Sequence, residues 1–158
     1  MSVDLLLDGG RPIRLLPLLA NIRFVLIEML GGASVPPLIV EVLEDSIRGD
    51  VSNDTICVDD APLLMVSVAD EPSVEIISNA EWLTVSMAGS RSRMKYLLGA
   101  ATAIVLAREL SGSITDDRLF FSAGSPTSPE SLLNRLRLPG GEVDWHVAAS
   151  KIHLDIIE

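Results

Sequence analysis

Residues Pro62–Met87 read PLLMVSVADEPSVEIISNAEWLTVSM, and the way this stretch is punctuated decides the fold. Three runs, Pro62 to Val68, Ser73 to Ser78 and Trp82 to Met87, are rich in Val, Ile and Leu, residues suited to a pleated surface. Their separators, Ala69-Asp70-Glu71-Pro72 and Asn79-Ala80-Glu81, are too short for a crossover and long enough for hairpins. The expected sheet is therefore antiparallel. The clearest helix follows at once, from about Arg91 to Leu110, with Ser90 or Ser92 to cap it and Ser111-Gly112 to end it. Leu97, Ala100, Ala101, Ile104, Val105 and Leu110 lie within one broad apolar face, and Gly99-Ala100-Ala101 keeps side chains small enough for close packing on a sheet.

Toward the N-terminus, Val3 to Leu7 reads as a strand and Asp8-Gly9-Gly10 as a turn. Arg11 to Leu16 fits either a returning strand or irregular chain leading into a helix. From Pro17 the apolar residues Leu18, Leu19, Ile22, Val25, Leu26 and Met29 recur at helical steps, and Gly31-Gly32 supplies the stop. Pro36 to Arg48 supports two readings. Ile39, Val40, Leu43 and Ile47 make a helical stripe, while Leu38, Val40 and Val42 alternate as in a strand; the leading prolines and Gly49 favour the helix. Asp50 to Asp54 reads as a polar loop, and Thr55 to Val58 as a further strand.

Beyond the long helix, Ile114 to Ser122 resembles a short strand. Thr127-Ser128-Pro129-Glu130 is a capping signature for a helix carrying Leu132, Leu133 and Leu136, closed by Pro139-Gly140-Gly141. Alternation of Val143, Trp145 and Val147, and of Ile152, Leu154 and Ile156, predicts one or two final strands. The expectation is one α+β domain over residues 1–158, a mainly antiparallel sheet packed by two to four helices.

A chain of 158 residues, 48% hydrophobic, has the means to bury roughly 70% of its unfolded surface without staples. Cys57 is the single cysteine, so no internal disulfide forms. Its neighbours Asp54, Asp59 and Asp60 would raise the pKa of a thiol there, the opposite of what a nucleophile needs, and favour a buried structural role. The start of the chain has acids inside its short apolar run and no basic region, unlike a secretory signal. The longest apolar uncharged run, Tyr96 to Ala107, is far short of the roughly 20 residues that cross a bilayer. A cytoplasmic protein without membrane contact is expected.

Charge is distributed very unevenly. Eleven of the 22 acids fall between Glu41 and Glu81, with Arg48 the sole base there, so this segment alone carries the formal charge of −10 found for the whole chain. Such a field draws basic partners or cations and repels nucleic acid. The rival reading is a solvated surface that serves solubility. Asp50, Asn53, Asp54, Asp59 and Asp60 lack the spacing of a calcium loop, and no metal or other cofactor is expected.

Arg91, Arg93 and Lys95 form the only basic cluster, at the start of the best helix, where free backbone N–H groups favour an anion. Pairing of these cations with the acidic half of the fold is the simpler account, because cations oppose the dipole at a helix N-terminus. No phosphate-binding glycine motif is present. Asp116-Asp117-Arg118 suggests a turn with a local arginine pairing. His146 and His153 lack metal-ligand neighbours, and Ser125 and Ser128 lack a nucleophile motif, so enzyme chemistry has little support.

The run Tyr96-Leu97-Leu98-Gly99-Ala100-Ala101-Thr102-Ala103-Ile104-Val105-Leu106-Ala107, followed by Ser111-Gly112-Ser113-Ile114-Thr115-Asp116-Asp117, resembles small bacterial α+β proteins of the polymorphic-toxin immunity type. The likeness supplies no site residues. It implies a cytoplasmic protein that binds and neutralises a cognate toxin, and strong acidity would suit a basic one. The leading expectation is thus a non-enzymatic protein-binding module using Asp54, Asp59, Asp60, Asp70, Glu71 and Glu75. A small-molecule site or enzyme with an anionic ligand at Arg91, Arg93 and Lys95 is the alternative, and a subunit of a larger assembly a third.

Overall fold

The computed structural model describes residues 4–8, 14–42, 63–78, 82–89, 91–110, 112–116, 120–121 and 124–154. In chain order these form β1 (Asp4–Asp8), α1 (Leu15–Met29), β2 (Leu38–Val42), β3 (Leu63–Val68), β4 (Val74–Ser78), β5 (Trp82–Ser86), α2 (Arg93–Leu110), α3 (Pro129–Leu136) and α4 (Trp145–Lys151). The five strands make one antiparallel sheet in the order β1-β5-β4-β3-β2, so the fold is α+β, as expected. The three-strand meander read from Pro62–Met87 is its centre.

Strand alternation sends Leu64, Val66, Val68, Val74, Ile76, Leu83, Val85, Leu5 and Leu7 to one face, where all are buried. Against that face lies α2, in which every residue from Met94 to Ala107 is buried. An amphipathic stripe was expected; the helix is covered on all sides. Its one buried threonine, Thr102, donates to the Leu98 carbonyl at 2.8 Å and so satisfies itself within the helix. A methyl group at Gly99 would overlap the buried Met87 side chain, which shows how closely α2 approaches the end of β5.

α1 and α3 flank α2. The helix α3 starts as its capping signature predicts, with Ser128 Oγ accepting from the Ser131 N–H at 3.1 Å. Arg108 on α2 reaches Glu130 on α3 through two hydrogen bonds of 2.8 and 3.0 Å. That guanidinium holds the Glu130 carboxyl below its ordinary range. Both side chains are largely exposed, so the pair adds little stability.

Three local expectations are corrected. Pro36 to Arg48 favoured a helix, but residues 38–42 are strand β2, paired with β3 from Leu38↔Val68 to Val42↔Leu64. The β-branched Ile39, Val40 and Val42 fit a sheet edge, and Arg23 of α1 holds the incoming chain extended by donating to the Val35 carbonyl at 2.6 and 2.9 Å. Residues 43–48 of that segment, and the expected loop and strand at 50–58 with Cys57, lie outside the described residues.

Val143, Trp145 and Val147 were read as a strand, but α4 begins at Trp145. Asp144 caps it, its carboxylate accepting from the His146 and Val147 N–H groups at 2.8 and 3.1 Å. Trp145, Ala148, Ala149 and Ile152 recur at helical steps on its packed side. The described part of Ile114–Ser122 is likewise no strand. It makes isolated bridges, Ile114 to Thr127 and Thr115 to Leu6 of β1, and then turns. The buried Asp116 accepts from the Phe121 N–H at 3.0 Å.

The end of α1 is fixed by close backbone contact. Gly31 has φ +68°, and a Cβ there would lie 2.6 Å from Gly140 Cα; next to it, the Leu138 N–H donates to the Met29 carbonyl at 2.9 Å. Gly32, at φ +89°, has nothing within 4 Å of its Cβ position. Gly31→Ala is expected to cost about 1–2 kcal/mol in backbone strain plus a clash that only main-chain movement relieves, whereas Gly32→Ala should cost the strain alone. Urea midpoints of the two variants measure the difference.

Candidate protein-interaction face

Among the described residues, the second face of the sheet carries polar and mixed side chains. Register aligns one row across it: Glu41↔Met65, Met65↔Glu75, Glu75↔Ser86 and Ser86↔Asp4, running over β2, β3, β4, β5 and β1. Residues directly opposite one another in paired strands point to the same side, so these five side chains share a face. Three are acids. At about 4.8 Å per strand, Glu41, Glu75 and Asp4 are spaced roughly 10 Å apart along a line of about 19 Å. A parallel row holds Ile77, Thr84 and Leu6.

Large apolar side chains stay exposed on the same face. Ile39 is 50% exposed, Ile77 37% and Trp82 44%. Acids near half-exposed aliphatic and aromatic groups form a mixed surface that steers a cationic partner and offers it apolar area.

Of the acids expected to bind a partner, Glu75 lies in the central row and Asp70 is exposed in the β3–β4 turn. Glu71, in the same turn, points instead to the start of α2. Its carboxylate accepts from Ser92 Oγ at 2.9 Å and lies 3.7 Å from His146 Nδ1 of α4. Asp54, Asp59 and Asp60 are outside the described residues.

The three cations of the alternative site do not converge. Arg91 is exposed. Arg93 donates to the Ile152 carbonyl, and Lys95, buried with 6% exposure, donates to the Ala88 carbonyl. A pocket of about 240 Å³ does open beside them, lined by Glu71, Ser92, Arg93, Met94, His146, Ala149 and Ser150. Glu71 already places a carboxylate near the helix start, where the dipole favours one. The pocket brings together a hydroxyl, a carboxylate and an imidazole, but the carboxylate stands between the other two. The imidazole therefore has no contact through which to deprotonate Ser92, unlike a nucleophile–base pair.

Sequence reasoning did not single out Asp4, Glu41 or Ser86 as site residues. Period-two alternation places each opposite the apolar positions of its own strand, but only the register between strands aligns them. His146 was assigned to the solvent face of a strand; it is 59% exposed on a helix and faces Glu71. Among the described residues, no group of three or more potential ligands could hold a metal ion, and no helix is long and apolar enough to cross a membrane. No protein-family model, curated protein or solved structure matches the chain.

Ser92 Oγ serves two partners, accepting from the Lys95 N–H at 3.3 Å as the cap of α2 and donating to Glu71. Ser92→Ala is expected to cost about 1 kcal/mol, the usual loss of a helix cap, read as a lowered urea midpoint.

Proposed function

We propose that this chain is a non-enzymatic protein-binding module whose acid-bearing sheet face meets a basic protein. The observation that carries the proposal is the row of Glu41, Glu75 and Asp4 beside half-exposed Ile39, Ile77 and Trp82. Acidity spread through a sequence has many explanations, solubility among them. Acids arranged on one sheet face, with apolar groups left in water next to them, favour a binding surface.

A narrower form of the proposal is an immunity protein that neutralises a basic toxin. Its support is the resemblance of residues 96–117 and the charge of −10. In that case the captured partner should poison bacterial cells when expressed alone and spare them when co-expressed with this chain.

The test is capture from native lysate at low salt followed by elution with rising salt. Wild-type protein should release a basic protein, and the Glu41→Gln/Glu75→Gln variant should bind it on the order of tenfold more weakly, about 1.4 kcal/mol, with a shallower salt dependence. Equal retention by the two would count against the face. Neutralising Asp59, Asp60, Asp70 and Glu71 in a second variant separates the sheet face from the rest of the acidic segment.

The pocket at the start of α2, which Arg93 lines, favours one second reading, an anionic small molecule that displaces Glu71 from Ser92. Phosphates and carboxylates should then raise the melting temperature, more so in Glu71→Gln, where the resident charge is gone. No shift at saturating concentrations would exclude that reading.

A further inference from the structure

The two edges of the sheet are finished differently. At β1, Leu6 exchanges backbone hydrogen bonds with Thr115, its N–H donating at 3.0 Å and its carbonyl accepting at 2.9 Å, and its neighbours Leu5 and Leu7 are buried. At β2, among the described residues, the backbone pairs with β3 alone. Every second residue of such an edge turns its N–H and carbonyl away from the sheet, a template for another chain. The side chains of β2 are incompletely covered as well. Leu38 and Val40 lie opposite the buried Val68 and Val66 and pack on the core, yet they stay only partly buried. On the other face Ile39 is half exposed and Glu41 is exposed. The edge is bounded where the chain enters it. Pro36 and Pro37 bring no N–H to a ladder, and the Val35 and Pro36 carbonyls already accept from Arg23 at 2.9 and 3.3 Å. Residues 38–42 thus offer about 17 Å of strand.

We infer that the outer edge of β2 takes up an extended segment of a basic partner as a sixth strand, a reading that rests on the protein-binding function proposed above. Main-chain hydrogen bonds supply the affinity in this mode, and alternate side chains supply the choice of partner. Residues opposite one another in paired strands share a face. The partner's residue opposite Glu41 therefore stands on the acid-bearing face, where a lysine or arginine answers Glu41, with Glu75 two strands further in. Its residues opposite Leu38 and Val40 stand on the helix side, where apolar groups complete the cover of those two side chains. The segment accordingly alternates apolar residues with polar ones that include a cation. A second copy of β2 is a poor occupant, because it would bring another Glu41 and a further charge of −10 alongside the first.

The experiment is an NMR titration of the ¹⁵N-labelled full chain with the capped peptide Lys-Val-Lys-Val-Thr-Val-Lys and with a copy N-methylated at two consecutive central residues. The copy keeps every charge and side chain but cannot join a ladder. In the free protein, alternate amides of residues 38–42 should exchange rapidly with solvent. The first peptide should shift and protect them, and its copy should bind about tenfold more weakly. Glu41→Lys, an exposed change, should weaken the first peptide severalfold. Equal binding of the two peptides, or slow exchange of all five β2 amides in the free protein, would overturn strand addition and leave the protein-binding reading standing. Absence of binding by either peptide at millimolar concentration would also overturn strand addition. Failure of the protein-binding reading shows separately, as equal retention of wild type and Glu41→Gln/Glu75→Gln in the lysate capture.

Discussion

Everything in this structure depends on α2 being covered on every side. A helix buried from Met94 to Ala107 must meet a sheet and flanking helices at once, and bulky residues all round would hold those neighbours too far apart. Gly99, Ala100, Ala101 and Ala103 keep the helix narrow where it passes the end of β5 and the buried Met87. The meander supplies one wall and α1, α3 and α4 the others. Because this single helix concentrates the apolar contacts, the described helices gather on one side of the sheet, and among the described residues the opposite face carries the polar and mixed positions.

That division also separates charge from core. The helix side of the sheet presents Leu, Val and Ile; the other presents Glu41, Glu75 and Asp4 among Ile39, Ile77 and Trp82. Carboxylates at roughly 10 Å intervals repel one another only weakly in water at physiological salt, where charges that far apart are screened. Glu71 is different. Placed in the turn between β3 and β4, it is directed to the start of α2, where Ser92 and the helix dipole favour it, and its charge serves the fold.

Some elements were legible because their signals are local. The hairpins between β3, β4 and β5 follow from separators too short for anything else, and α3 from a Ser-Pro-Glu start whose hydroxyl caps its own helix. Others failed because the local signal was shared by two structures. Residues 38–42 carried both a helical stripe and an alternation, and pairing with β3 settled the matter. Val143-Asp144-Trp145-His146-Val147 alternates for five residues, but Asp144 is a cap and the Ala148-Ala149 pair belongs to the buried side of a helix. The described part of Ile114 to Ser122 makes isolated bridges instead of a strand, and the Asp116 carboxylate accepts from the Phe121 N–H.

The sequence by itself determined the α+β class, the antiparallel meander, the long central helix and the concentration of charge between Glu41 and Glu81, because each arises from composition or spacing within a few residues. Tertiary structure alone decided which acids stand together. Asp4 lies outside the acidic segment yet joins Glu75 in one row, while Glu71, four residues before Glu75, leaves it for α2. The physical reason is that alternation along a strand tells which side a residue faces, whereas its neighbours across the sheet depend on strand order and register. Those are set by burying the apolar face against α2, a long-range condition that no single segment carries.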